Sequence, residues 1–165
     1  MPRVKLVPGL WGSLTPPQPL SDEQIEAKAR DLLQQLTLDE KIHQMSGDTP
    51  FLSGMLEMMR AYNTHPLPAG ENLRLGIPGI RFSDGPRGVV IYHSTCFPVS
   101  LARGASWDVE LEERIGDAIG VEARSQGANF FGGVCINLLR HPAWGRAQET
   151  YGEDPPHLGE MGAAG

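Results

Sequence analysis

The sequence predicts an α/β protein built on a parallel sheet or barrel, and three observations carry that reading. Short apolar runs alternate with helical patterns, in the order strand, polar loop, long helix, strand, polar loop, helix. Both polar loops follow strands, and the carboxyl ends of strands are where ligand sites gather in parallel α/β folds. The composition is globular, with 40% hydrophobic and 21% charged residues over 165 positions, enough for one domain with a core.

Residues 1–20 carry Pro2, Pro8, Pro16, Pro17 and Pro19, which predicts an extended, irregular arm ahead of a domain spanning 21–165. Ser21-Asp-Glu-Gln24 is a capping box, and Ile25, Ala29, Leu32, Leu33 and Leu36 follow at helical spacing, so an amphipathic helix with one core-facing side is expected. Thr37-Leu-Asp-Glu40 repeats the pattern and starts a short helix with Ile42 and Met45 on its inner face. The stripe of Leu52, Met55, Leu56, Met58 and Met59 within 51–62 is expected to fill core space, a use that adaptable Met side chains suit.

Residues 63–70, with Pro66 and Pro68, read as loop. Arg74 to Phe82 reads as an extended segment entering a strand, and Ser83-Asp84-Gly85-Pro86-Arg87-Gly88 as the turn that ends it. Asp84 has two readings: a cap for its own turn, or a carboxylate offered to a ligand. Thr95 to Ala105 reads as strand plus loop. A long helix then starts at Ser106 or Asp108 and runs to about Ser125, with Leu111, Ile115, Ala118, Ile119 and Glu122 inward, and Glu110, Glu112, Glu113, Arg114 and Asp117 largely outward. Gly127 is its stop. Phe130 to Leu138 is the next strand, and His157 to Gly165 begins another helix.

The densest chemistry lies in 137–155, where Arg140, His141, Trp144, Arg146, Glu149, Tyr151, Glu153 and Asp154 sit between Pro142 and Pro155 or beside them. Residues before proline are pushed out of the helical region, so His141 and Asp154 are expected to be extended. The density suggests a binding rim; the alternative is an Arg/Glu network that pins a long loop. Asp84, Arg87, Arg140, His141 and Arg146 all fall after strands and are placed to face one cleft.

Several chemistries are disfavoured. A net charge of −6 and the lack of a Lys/Arg cluster argue against a nucleic-acid partner. Neither GxxxxGK[ST] nor GxGxxG occurs, HExxH and GxSxG are missing, and the five histidines are scattered, so neither cofactor nor metal is expected. Cys96 and Cys135 have no CxxC spacing and read as buried free thiols. The first eleven residues hold too brief an apolar run for a signal segment and nothing spans a membrane, so a cytoplasmic protein is expected. Asp, Arg and aromatic groups remain, a set suited to hydroxyl-rich ligands.

Gly76-Ile-Pro, Asp84-Gly-Pro-Arg-Gly88, Phe97-Pro through Ala105-Ser-Trp-Asp108, Glu122-Ala-Arg-Ser-Gln-Gly127 and above all Arg140 through Pro155 resemble the N-terminal domain of family 3 glycoside hydrolases, of which β-glucosidases are the best-known members. The likeness runs from about Leu36 to the last residue. It implies a (β/α)8 TIM barrel, of which this chain holds an incomplete N-terminal part, and retaining hydrolysis of β-linked oligosaccharides or glycosides. Asp84 is similar to the family's acceptor for the distal hydroxyls of the non-reducing sugar. Arg146 resembles the arginine that holds the same sugar, and Glu149, Glu153 and Asp154 match flanking carboxylates. Gly152 stands where many relatives have Ser, and Gly133 near a position often occupied by proline.

The family's Lys-His pair, its nucleophilic Asp in a Ser/Thr-Asp-Trp/Tyr setting, and its acid/base have no match in these 165 residues. A barrel needs roughly 250 residues, so the resemblance implies a chain cut before closure, with an open sheet edge. Two hypotheses follow: part of a glycosidase pocket that is inactive alone, or a non-catalytic sugar- or partner-binding module.

Overall fold

The computed structural model describes residues 20–60 and 63–165; the arm expected over 1–20 lies outside the described residues except at Leu20. The chain divides into two compact units, Met1–Leu38 and Asp39–Gly165.

In the first unit, α1 (Asp22–Gln35) starts at the predicted capping box. The Gln24 amide donates to Ser21 Oγ at 3.3 Å, and the Ser21 amide to Gln24 Oε1 at 2.9 Å, which satisfies two orphan donors reciprocally. The helix buries none of its residues. Ile25 and Leu33 are exposed, whereas Leu36, the C-cap residue on the side read as core-facing, is buried.

The second unit takes in all but the first residue of α2 (Leu38–His43), followed by α3 (Phe51–Arg60). Neither helix buries a residue. Phe51 is 82% exposed, and Ile42, Met45, Leu52, Met55, Leu56, Met58 and Met59 are exposed as well. The expected core role of the Met stripe is therefore corrected: the core forms around the long fifth helix instead.

Among the described residues, three strands form one sheet in the order β1-β2-β3. β1 (Leu67–Ala69), in a stretch expected to be loop, pairs antiparallel with β2 (Ile80–Ser83). Pro68 is tolerated because β1 is an edge strand and gives up no interior donor. Between β2 and β3 (Phe130–Phe131) run α4 (Ser100–Gly104) and α5 (Val109–Ser125), and the two strands pair parallel, Phe82 with Phe130 and Ser83 with Phe131. This is the βαβ unit that the alternation predicts.

Two strand readings change. The 95–105 stretch is loop followed by α4, with no strand. The strand expected over 130–138 pairs for only two residues, because its partner β2 ends at Ser83 and the last rung is the Gly132 amide to the Ser83 carbonyl, 2.9 Å.

α5 is capped by Asp108, whose Oδ1 accepts from the Leu111 amide at 2.8 Å, and Gly127 follows with φ +84° as the left-handed stop. Ile115, Ile119 and Ala123 pack with Val89, Ile91 and Ala128, and Phe97 and Phe131 close the cluster. Leu111 and Ala118 are exposed, whereas Glu112, read as outward, is buried. The buried positions 112, 115, 119 and 123 define a stripe rotated from the expected one. α6 (Pro155–Ala164) is capped by Asp154, extended at φ −81°, ψ 119° as expected before proline. It buries Leu158 and Met161 against Tyr151 and Val109. Among the described residues, no helix is long and apolar enough to cross a membrane.

Candidate functional site at the strand ends

β2 delivers Asp84 and β3 delivers the 132–146 loop, so both polar loops leave the same ends of neighbouring parallel strands. Gly133 shows how closely they run. A side chain there would overlap the Gly85 carbonyl oxygen and the Phe131 ring, so glycine is the residue that fits.

Asp84 is exposed, and its Oδ1 accepts from the Gly85 amide at 2.8 Å, so the turn-capping reading holds for one oxygen. The turn is closed by the Val90 amide to the Asp84 carbonyl at 3.0 Å. Arg146 leads into a single 3-10 turn, Ala147–Glu149. Its Nε and Nη2 both donate to Glu149 Oε2, at 2.8 and 2.6 Å. The Arg146 side chain is 63% exposed and that of Glu149 only 19%.

This pair sets the local electrostatics. Hydrogen bonding from Arg146 holds the Glu149 carboxyl below its usual range. The guanidinium is raised in return, first by the hydrogen bond and charge of Glu149 and, more weakly, by the charges of Cys135 and Asp84. Cys135 Sγ lies 3.7 Å from Glu149 Oε2. Burial and then the Glu149 charge push its thiol up, with Asp84 adding in the same direction. Asp84, Cys135, Arg146 and Glu149 thus share one electrostatic neighbourhood.

The remaining candidates have other partners or none among the hydrogen bonds of that neighbourhood. Arg87 Nε donates to the Phe97 carbonyl at 3.4 Å and lines a cavity of about 250 Å³ with Asn63, Tyr92, Thr95 and Cys96. His141 is spent on its own turn, its Nδ1 accepting from the Ala143 amide at 3.1 Å. Arg140 and Glu153 are exposed. The cysteine reading is corrected: both thiols are free, but Cys96 is exposed and Cys135 half-buried. Among the described residues, no group of three or more His, Cys, Asp or Glu is arranged to hold a metal.

Sequence reasoning missed a buried polar cluster behind these loops. Arg103 is 5% exposed and Glu112 1%. Arg103 Nη1 donates to Glu112 Oε1 at 2.8 Å, and the Tyr151 hydroxyl donates to the same oxygen at 2.6 Å. Arg103 Nη2 donates to the Pro86 carbonyl at 2.7 Å and to Ser100 Oγ at 3.0 Å. Burial, then the bond to Glu112, push the Tyr151 phenol well above its ordinary value. The available signal was the spacing of Glu112 with Ile115, Ile119 and Ala123.

A βαβ unit with carboxylate and guanidinium groups at its strand ends is the arrangement of a piece of a barrel-type α/β protein. Residues 53–164 match the glycosyl hydrolase family 3 N-terminal domain, and the chain belongs to that family. It is 36% identical to a β-glucosidase of Rhizobium radiobacter over 132 residues, 76% of this chain and 14% of that protein. It is 31% identical to a β-xylosidase of Formosa agariphila over 150 residues, 87% of this chain and 18% of that one. Among solved structures, β-glucosidase 3B from Thermotoga neapolitana in complex with α-D-glucose superposes with a TM-score of 0.71 at 32% identity, covering 83% of this chain and 20% of that one. The fold is accordingly part of a TIM-barrel-like α/β domain, and the chain spans a fifth or less of the length of these relatives.

Proposed function

We propose that this chain supplies part of the sugar-binding pocket of a β-glucosidase-like glycoside hydrolase acting on terminal non-reducing β-D-glycosyl residues. Asp84 accepts hydrogen bonds from distal hydroxyls and Arg146 donates to the same pyranose, with Glu149 holding the guanidinium in place; Arg87, Arg140, His141 and Glu153 belong to the rim. Charged partners make such hydrogen bonds roughly twice as strong as neutral ones. Retaining hydrolysis needs two carboxyl groups about 5–5.5 Å apart, one as nucleophile and one as acid/base. These come from sequence outside the 165 residues, and the chain alone is inactive.

The observation that supports this reading most directly is the convergence of the two strand-end loops, which run so close that a Cβ on Gly133 would overlap the Gly85 carbonyl oxygen. Glucose-bound relatives of the same fold supply the ligand class. Titration calorimetry of the purified chain with glucose tests it. Saturable millimolar binding, lost in Asp84→Ala, is expected; absence of saturable heat overturns the sugar site. No turnover of an aryl β-glucoside is expected, and clear turnover by the pure chain overturns the placement of the catalytic carboxylates.

A further inference from the structure

The buried cluster behind the site reaches both loops through one atom. Glu112 Oε1 accepts from Arg103 Nη1 and from the Tyr151 hydroxyl. Arg103 reaches forward to the Pro86 carbonyl, two residues past Asp84, and Ser100 Oγ donates to the same carbonyl at 3.3 Å. Tyr151 lies two residues past Glu149, and the Arg103 guanidinium sits 5.5 Å from its ring centroid. The chain of contacts therefore runs from the Asp84 turn, through α4 and α5, to the loop that carries Arg146 and Glu149.

Stability alone does not account for such a cluster. A buried ion pair is often replaceable by apolar residues without loss, because desolvation offsets the attraction. This pair is also incompletely satisfied, since Arg103 Nε and Glu112 Oε2 are buried without a hydrogen-bond partner. What the cluster does provide is geometry: a shift of the Tyr151 loop lengthens its bond to Glu112 Oε1, and a shift of the Asp84 turn lengthens the bond that Arg103, held on the same oxygen, donates to the Pro86 carbonyl.

We infer that Glu112 is a positioning residue, which couples the Asp84 turn to the Arg146 loop by holding Arg103 and Tyr151 on a single carboxylate oxygen. The role deepens the sugar-site reading and rests on it for its functional meaning, but the coupling itself is independent of any ligand. Tyr151→Phe removes only the hydroxyl. Amide hydrogen exchange on the purified chain then reads the two loops separately. Glu149 and Thr150 should exchange about tenfold faster, the effect of one lost hydrogen bond to a charged group, and Gly88 and Val90, which close the distant Asp84 turn, should accelerate with them. Ile119 and Ala123 in α5 should keep their rates.

The reciprocal variant Ser100→Ala loosens the Pro86 end and should accelerate Glu149 and Thr150. It also serves if Tyr151→Phe fails to fold. Acceleration confined to the 149–150 loop in Tyr151→Phe, or to the Asp84 turn in Ser100→Ala, overturns the coupling. Coupled acceleration in a chain that does not bind glucose supports the positioning role and overturns only the sugar site.

Discussion

Arg146 and Glu149 meet through a single oxygen, both guanidinium donors closing on Glu149 Oε2 across one turn of 3-10 helix. The bond favours the ionised carboxyl, so the folded pKa of Glu149 is depressed. A depressed carboxyl contributes stability that is present above its unfolded pKa and lost as pH falls through the folded one. Thermal midpoints measured over roughly pH 3 to 6 should fall more steeply with acidification in the wild type than in Arg146→Met, which lacks the partner. Parallel curves would show that solvent screening of the exposed arginine cancels the effect.

Cys135 is the built-in reporter of that pair. Burial and the Glu149 charge disfavour its thiolate, while Cys96 is exposed. Alkylation at neutral pH should be biphasic, Cys96 reacting first, because rate follows thiolate fraction and access. Glu149→Gln removes the neighbouring negative charge that helps to hold the thiol up and should speed the slow phase. An unchanged slow phase would mean that access alone limits the thiol.

How much of this was legible depends on what each residue has to touch. Caps were readable at Ser21 and Asp108 because each satisfies an amide three residues on, and local sequence holds both partners; Asp154, read only as extended, caps α6 in the same way. The βαβ order was readable for the same reason. Periodicity in α1 to α3 reported an apolar face and nothing about what covers it, so Leu52 and Met59 were assigned to a core in which they take no part. Glu112 failed in the opposite direction. Its spacing placed it with Ile115 and Ile119, its charge argued for solvent, and its partners Arg103 and Tyr151 lie 9 and 39 residues away. The strand-end loops were recognisable by residue type, but the division of labour among them was not: the carbonyl that draws Arg87 aside belongs to Phe97.

The core around α5 carries a direct stability prediction. Ile119 is 5% exposed among Val89, Ile91, Ile115, Ala123 and Ala128. Ile119→Ala should cost about 2–5 kcal/mol through lost transfer energy and the cavity left behind. Met59→Ala, on the exposed stripe of α3, should change stability by less than about 0.5 kcal/mol. Urea unfolding measures both, and equal losses would place α3 in the cooperative core.

Asp84 does two jobs that one substitution can separate. Its Oδ1 caps the Gly85 amide, a role that a neutral amide oxygen also fills, whereas its charge acts on Arg146 and any bound hydroxyl. Asp84→Asn should therefore keep the melting temperature within a degree or two, since a retained cap costs only tenths of a kcal/mol. Glucose affinity should nonetheless fall roughly tenfold or more, because a hydrogen bond to a charged group contributes about 1.5–3 kcal/mol. Asp84→Ala loses both, with a further stability loss of about 1 kcal/mol from the missing cap. Melting curves and calorimetry on the two variants decide the matter: full glucose affinity in Asp84→Asn would assign Asp84 to the turn alone and leave the pyranose to other groups.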